Sequence, residues 1–181
     1  MLQQHIRNFT DKVIEALNVG SMEMINLNQD MLTPDFILLG LLAQEDSMIV
    51  EILETAYPHD LEISQKIMER IYSLQRDQPK FKGTAVGHIQ VPKETEVLFK
   101  TAQEQAKLLG DKFIGLEALF LALFEKSLGK IPILLEEMGV TYEKVKSEIE
   151  SLRGGRTINE KGTEGKSDIL EQFTTDLTDL A

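Results

Sequence analysis

LTPDFILLGLL, at residues 32–42, returns as IGLEALFLALF at residues 114–124, a shift of 82 positions (114 − 32 = 82). The same shift, without a gap, places Ile49, Ile52, Leu53, Ile63 and Ile67 on Ile131, Leu134, Leu135, Val145 and Ile149. One offset shared by successive segments is typical of a tandem duplication. The sequence therefore predicts two copies of one helical unit, packed on each other, with their seam as the natural place for a binding site.

The apolar residues of both copies recur at helical spacing, and no strand-like alternation persists. We predict an all-α fold of eight helices, in two pseudo-symmetric units of four. The first unit spans 1–74, the second spans 92–153, and 75–91 between them is predicted to be a linker. Residues 154–181 are predicted to be a flexible linker followed by the start of a further helix, with an apolar side built from Ile169, Leu170, Phe173, Leu177 and Leu180.

Two threonines stand where helices are predicted to begin. Thr10 precedes Asp11, and Thr33 precedes Pro34 and Asp35. A threonine hydroxyl can accept from a free backbone N–H of the first turn, proline is tolerated at the first helical position, and an acid there suits the helix dipole. We expect both threonines to cap their helices, and we expect the first helix to weaken at Gly20.

Composition restricts the class of function. The net charge is −11, and the chain contains no cysteine. An acidic surface repels phosphate backbones, so nucleic-acid binding is not expected, and the absence of cysteine fits a reducing, cytoplasmic location. No apolar run reaches the roughly 18 residues that a membrane-spanning helix needs, and the N-terminus lacks the pattern of a signal peptide.

Sites for metals, nucleotides and catalysis are weakly supported. The three histidines do not have metal-ligand spacing. The stretch GTEGKS at 162–167 lacks the first glycine and the preceding strand of a phosphate-binding loop, so no ATP site is expected within this chain. Asp111 and Glu117 leave open a small hydrolase, although such a pair needs one carboxyl group raised in pKa by burial.

Four stretches together resemble the N-terminal domain of the Clp family of AAA+ unfoldases, specifically the ClpB-type disaggregases. They are Phe9-Thr10, TPDFILLGLL at 33–42, GDKFIGLEALFLAL at 110–123, and RGGRTINEKG with LEQFTTDLTDLA within 153–181. The resemblance implies a double Clp-N repeat that captures unfolded or aggregated polypeptide and passes it to a hexameric ATPase ring. It also implies that this chain is a fragment, with ATP and magnesium bound by ATPase modules that would follow Ala181.

The resemblance implies substrate handling by Thr10, Asp111 and Glu117, whose surrounding motifs match. Each also has a local interpretation, as helix cap, turn residue and dipole partner respectively. A module that grips unfolded chains needs an exposed apolar groove, which we expect Phe99 and Ala118 to line, although Phe99 is equally plausible as a core residue. A stand-alone Clp-repeat adaptor, or the N-domain of a Clp protease unfoldase, remains an alternative.

Overall fold

The computed structural model describes residues 2–80, 83, 89–162 and 164. Nine α-helices and one short 3₁₀ helix, Lys126–Leu128, are present within these residues. The α-helices are α1 Leu2–Ile6, α2 Asp11–Asn26, α3 Pro34–Ala43, α4 Met48–Ala56, α5 Ile63–Arg76, α6 Lys93–Leu108, α7 Leu116–Ala122, α8 Lys130–Glu137 and α9 Tyr142–Arg153. The predicted all-α class is confirmed, and the helix beyond the predicted eight is α1. The further helix predicted around Ile169 lies outside the described residues.

The duplication is visible in the helices themselves. Helices α2 to α5 form one unit and α6 to α9 the other. The first three helices of each unit begin 82 residues apart (93 − 11, 116 − 34 and 130 − 48 all equal 82). Across the seam, α4 packs on α9, and its counterpart α8 packs on α5. The two units are thus related by an approximate two-fold arrangement.

The two units also exchange backbone hydrogen bonds reciprocally. The Leu32 N–H donates to the Gln90 carbonyl at 2.8 Å, and the Ile114 N–H donates to the Asn8 carbonyl at 2.7 Å. These bonds are counterparts, since 114 − 32 and 90 − 8 both equal 82. The segment before the second helix of each unit therefore pairs with the segment before the first helix of the other. A further bond, from the Thr10 N–H to the Ile114 carbonyl at 3.0 Å, brings the start of α2 next to the start of α7.

Glycines allow α2 and α3 to cross at close range. A Cβ on Gly40 would lie 2.1 Å from the Ala16 carbonyl oxygen, and one on Gly20 would lie 2.4 Å from the Phe36 carbonyl oxygen. The expected weakening of the first helix at Gly20 is wrong, because α2 continues to Asn26. Packing against α3 outweighs the low helix propensity of glycine at this position.

The second helix of each unit forms the centre of the core. All residues from Pro34 to Leu42 of α3 are buried, and so are all residues of α7. Helices that are apolar almost all round are expected to be covered on every side. The acid in the first turn of each, Asp35 or Glu117, is therefore buried as well.

The two predicted threonine caps have different outcomes. The Thr10 hydroxyl accepts from the Val13 N–H at 3.2 Å, as predicted. Thr33 precedes α3, but its hydroxyl makes no capping bond, and Oγ1 is buried without a hydrogen-bond partner among the described residues. Pro34 occupies the first helical position, where its missing N–H leaves no donor unpaired.

Candidate functional site

A buried ion cluster lies where the end of α9 meets the start of α7. The Arg153 guanidinium donates to both Asp111 carboxylate oxygens, from Nη1 at 2.6 Å and from Nη2 at 2.8 Å. Its Nε and Nη2 donate to the Glu117 carboxylate at 2.7 to 3.1 Å. The side chains of Arg153, Asp111 and Glu117 are 10%, 0% and 8% exposed. The two predicted acids thus lie together because both bind the same arginine.

Local backbone geometry places Asp111 in this cluster. Gly110 ends α6 with φ of +78°, a conformation that glycine adopts without steric penalty. The Asp111 N–H then returns to the Ala106 carbonyl at 2.8 Å and satisfies a free acceptor of the last helical turn. The Asp111 carboxylate then binds Arg153, which is the last residue of α9.

The cluster contains one positive group and two acids. Burial opposes the charge of Arg153, but hydrogen bonds to Asp111 and Glu117 outweigh this effect and raise the pKa of the guanidinium above its usual value. The arginine in turn donates charge-assisted hydrogen bonds to both acids. A hydrolytic pair must reach its substrate, and both of these acids are instead bound to one buried arginine, so the arrangement favours a structural ion cluster over the hydrolase alternative.

The segment after α9 is held against the second unit, and we name residues 156–162 with Glu164 the tail segment. The Lys112 N–H donates to the Ile158 carbonyl at 2.8 Å, and the Ile158 N–H donates to Asp111 Oδ1 at 2.9 Å. The Asp11 N–H, from the first unit, donates to the Lys161 carbonyl at 2.9 Å. The segment predicted to be a flexible linker is thus bonded to both units through the backbone of Ile158 and Lys161.

Glu164 joins the tail segment to the first turns of two helices. One carboxylate oxygen accepts from the Thr10 hydroxyl, and the other accepts from the Leu116 N–H at 2.5 Å. Burial raises the pKa of Glu164 to about 7. The hydrogen bonds from Thr10 and Leu116 act in the opposite direction, and the nearby charge of Glu117 adds a smaller increase. A Cβ on Gly115 would lie 2.2 Å from Glu164 Oε2, so glycine at this position makes room for the carboxylate.

Ile158 supplies the apolar contact of the tail segment. Its side chain is 8% exposed and lies over Gly115, where a Cβ would be 2.5 Å from Ile158 Cδ1. Beside it, the Phe113 ring lies under the ammonium groups of Lys112 and Lys161, at 5.9 and 5.6 Å from the ring centroid. Cation–π contacts of this kind add modestly to the docking of the segment.

The other predicted site residues are internal. Thr10 is fully buried and makes two bonds, one as the cap of α2 and one to Glu164. Phe99 and Ala118 are 1% and 0% exposed, so the prediction that they line an exposed groove is wrong. Phe99 packs edge-on against Phe9 at 5.1 Å between ring centroids and tilted against His5 at 4.9 Å, and this aromatic contact buries it.

Sequence reasoning missed Arg153, Ile158 and Glu164. Arg153 is 42 positions from Asp111 and 36 from Glu117, so nothing local connects them. Ile158 offered a signal, because it is the single apolar residue between 156 and 168. Glu164 offered none, since it lies in the polar stretch that resembles part of a phosphate-binding loop.

Two further features of the described residues bear on function. They contain no group of three or more histidine, cysteine or acidic side chains arranged to hold a metal ion. Among them, no helix combines the length and the apolar character needed to cross a membrane.

Known proteins match this chain closely enough to show its family. Residues 8–134 match the Clp repeat (R) N-terminal domain family. The chaperone protein ClpB of Vibrio cholerae is 30% identical over 173 residues, which are 96% of this chain and 20% of that protein. The chain thus spans about a fifth of the length of the curated relatives it matches.

Solved structures share the fold at lower identity. The Hsp104 N-terminal domain from Candida albicans has a TM-score of 0.61 and 16% identity, covering 87% of this chain and 99% of that one. A chain from a structure described as a peptide from the EAEC T6SS Sci1 SciI protein has a TM-score of 0.67 and 20% identity, covering 90% and 98%. The duplicated helical unit, the sequence match and the shared fold agree, and the chain belongs to the Clp repeat N-terminal domain family.

Proposed function

We propose that this chain is the client-binding N-terminal domain of a ClpB-type disaggregase. In this function it captures unfolded or aggregated polypeptide and delivers it to ATPase modules of the same protein. Those modules would bind ATP and magnesium and assemble as a hexamer in the cytoplasm, while the domain itself would bind no cofactor. The similarity to ClpB over 96% of the chain supports this proposal at the level of the whole protein.

One observation supports the position of the client site. Thr10 and Asp111 bind the tail segment directly, and Glu117 holds Arg153 beside them, at a surface where main-chain hydrogen bonds already hold that segment. Unfolded clients share no fixed side-chain pattern, so a site for them must rely on the polypeptide backbone, which every client offers. The N–H groups of Asp11 and Lys112 supply such bonds here. A solved relative whose description names a peptide fits the same function.

The hydrogen bonds of the predicted site residues suggest a role for each of them in binding. Asp111 presents one oxygen to a peptide N–H, while Arg153 fixes the orientation of its carboxylate. Glu117 positions Arg153, and Thr10 presents its hydroxyl to an acid. The site binds through these few polar groups around a small apolar patch at Gly115. Ordering a flexible client offsets much of the binding energy, so the affinity should be weak.

The proposal is tested by filling the space between Gly115 and the tail segment. Gly115→Ala places a methyl group where the Ile158 side chain and the Glu164 carboxylate now lie. The Gly115 backbone has φ of −97°, which alanine also adopts, so the fold should persist. Binding of a fluorescently labelled, reduced and carboxymethylated lactalbumin is measured by anisotropy without ATP.

The wild type should bind this unfolded probe saturably, and Gly115→Ala should lose most of the binding. Met22→Ala is the control, because Met22 is 66% exposed on α2 and takes no part in the bonds of the tail segment given above. Unchanged binding by a folded Gly115→Ala protein would place the client site elsewhere. Absence of binding by the wild type, and by variants that lack the Ile158 or Glu164 side chain holding the tail segment, would refute the client-binding function.

A further inference from the structure

The surface that the tail segment covers, which we name the client groove, presents polar groups that bind a polypeptide segment. Three N–H groups point at the segment, from Asp11 and Lys112 to its carbonyls and from Leu116 to the Glu164 carboxylate. Asp111 Oδ1 accepts from the segment, and the Thr10 hydroxyl donates to it. Donors and an acceptor are thus spread along the groove, and the bonds come from both units.

The groove also has side-chain preferences, which the tail segment satisfies. An aliphatic side chain, Ile158, covers Gly115, and an acid six positions later (164 − 158 = 6) reaches Thr10 and Leu116. Between these two anchors the side chains of Asn159 and Glu160 are exposed. Two anchors separated by solvent-facing residues are typical of a peptide ligand in a recognition groove.

We propose that the tail segment is an internal competitor that occupies the client groove, so that a client must displace it to bind. The clients favoured by the groove are unfolded segments that carry an aliphatic residue followed six positions later by an acid, and that bind in the conformation of the tail segment. This inference rests on the proposed client-binding function and adds to it a ligand class and a means of regulation. The polar groups of the groove are then paired in both states, first by the tail segment and afterwards by the client.

Competition has a measurable consequence. The apparent dissociation constant of a ligand increases in inverse proportion to the fraction of protein in which its site is free. Loss of the bonds from Thr10 and Leu116 to Glu164 should shift the docking equilibrium by about tenfold or more, since each buried hydrogen bond contributes a factor of roughly two to ten. Release of the tail segment should therefore tighten client binding by a similar factor.

The test uses the full chain and the labelled, carboxymethylated lactalbumin. Glu164→Ala removes the acidic anchor, and Ile158→Ser removes the aliphatic anchor. Glu160→Ala is the matched control, because it removes the same charge from an exposed position of the same segment. Circular dichroism checks that each variant is folded, and the Ile158 amide resonance reports release of the tail segment.

Both anchor variants should bind the probe about tenfold more tightly than the wild type, and Glu160→Ala should not differ from it. A synthetic peptide with the sequence of residues 156–166 should then compete with the probe for binding to Glu164→Ala. The same peptide with alanine at position 164 should compete at least about fivefold less well, because it lacks the hydrogen bonds of the acid. Released variants that bind the probe with unchanged affinity would overturn the competition while leaving client binding intact. Absence of binding in every variant would instead refute the client-binding function.

Discussion

Arg153 is expected to be the side chain on which the second unit depends most. Arg153→Met removes the guanidinium but keeps much of the aliphatic packing. Five hydrogen bonds to Asp111 and Glu117 are lost, and two carboxylates with 0% and 8% exposure remain without a counter-ion. Breaking a buried ion pair by removing one partner typically costs about 3–5 kcal/mol. The Ile158 N–H still donates to Asp111, so we expect about 3–4 kcal/mol.

The assay is urea unfolding followed by far-ultraviolet circular dichroism. Arg70→Met is the matched control, because Arg70 pairs with Glu137 at 3.1 Å between side chains that are 48% and 53% exposed. An exposed pair contributes about 0–1 kcal/mol, so this variant should be nearly as stable as the wild type. Arg153→Lys should have an intermediate stability, since lysine keeps the positive charge but cannot form the planar, bidentate hydrogen bonds of the guanidinium group.

A rescue experiment separates the cost of unpaired charge from the cost of lost packing. In the triple variant Arg153→Met, Asp111→Asn, Glu117→Gln, the buried charges are absent and the amide groups keep the shapes. Neutral replacement of a whole buried ion cluster is often nearly neutral for stability, so most of the loss should be recovered. If Arg153→Met and Arg70→Met were to lose the same amount of free energy of unfolding, the buried ion cluster would not have the role described here.

Three further predictions concern the helix crossing and the tail segment. Gly40→Ala should destabilise the protein by about 2 kcal/mol or more in urea unfolding, because the new methyl group clashes with the Ala16 carbonyl oxygen and the backbone of α2 cannot easily move. A loss below about 1 kcal/mol would contradict the close crossing of α2 and α3. Thr10→Ala and Glu164→Ala should each destabilise the protein by about 1–2 kcal/mol. A double-mutant cycle should give a coupling energy above about 0.5 kcal/mol, and additive effects would contradict a direct bond between the two side chains. Docking of the tail segment should be strongest below pH 4.5 and weaken as the pH rises through about 7, because the docked Glu164 has a raised pKa and the docked state binds the extra proton. Between pH 4.5 and about pH 7 the free energy of docking should fall by about 3 kcal/mol. The fall is measured as lost hydrogen-exchange protection of the Ile158 amide, and it should disappear in Glu164→Gln.

The helical fold could be predicted from the sequence because its determinants are local or repeated. Apolar spacing and a constant offset of 82 indicate which helices exist and which ones correspond. The cap at Thr10 needs only its own side chain and the next turn, so it too was visible in the sequence. Gly20 shows the limit of such reasoning: its helix propensity suggests a weak point, but contact with the backbone of α3 keeps α2 intact.

The candidate site could be predicted only in part, because long-range pairing determines it. The duplication and the family resemblance directed attention to Thr10, Asp111 and Glu117, which the fold brings to one region of the seam. Arg153 and Glu164 are separated from their partners by 36 to 154 positions, and only the folded chain brings them together. The tail segment lacks apolar periodicity, and it docks through main-chain bonds and two side chains, Ile158 and Glu164, whose partners are far away in the sequence.

The most direct test of client binding at this groove is an amide chemical-shift map of the isotopically labelled chain during titration with the unfolded lactalbumin. We predict that the largest shifts occur at Asp11, Lys112 and Leu116, whose N–H groups now bind the tail segment. The Ile158 amide should move toward the position of an unstructured chain at the same client concentrations. Shifts confined to other surfaces, or client binding that leaves Ile158 docked, would contradict the proposal.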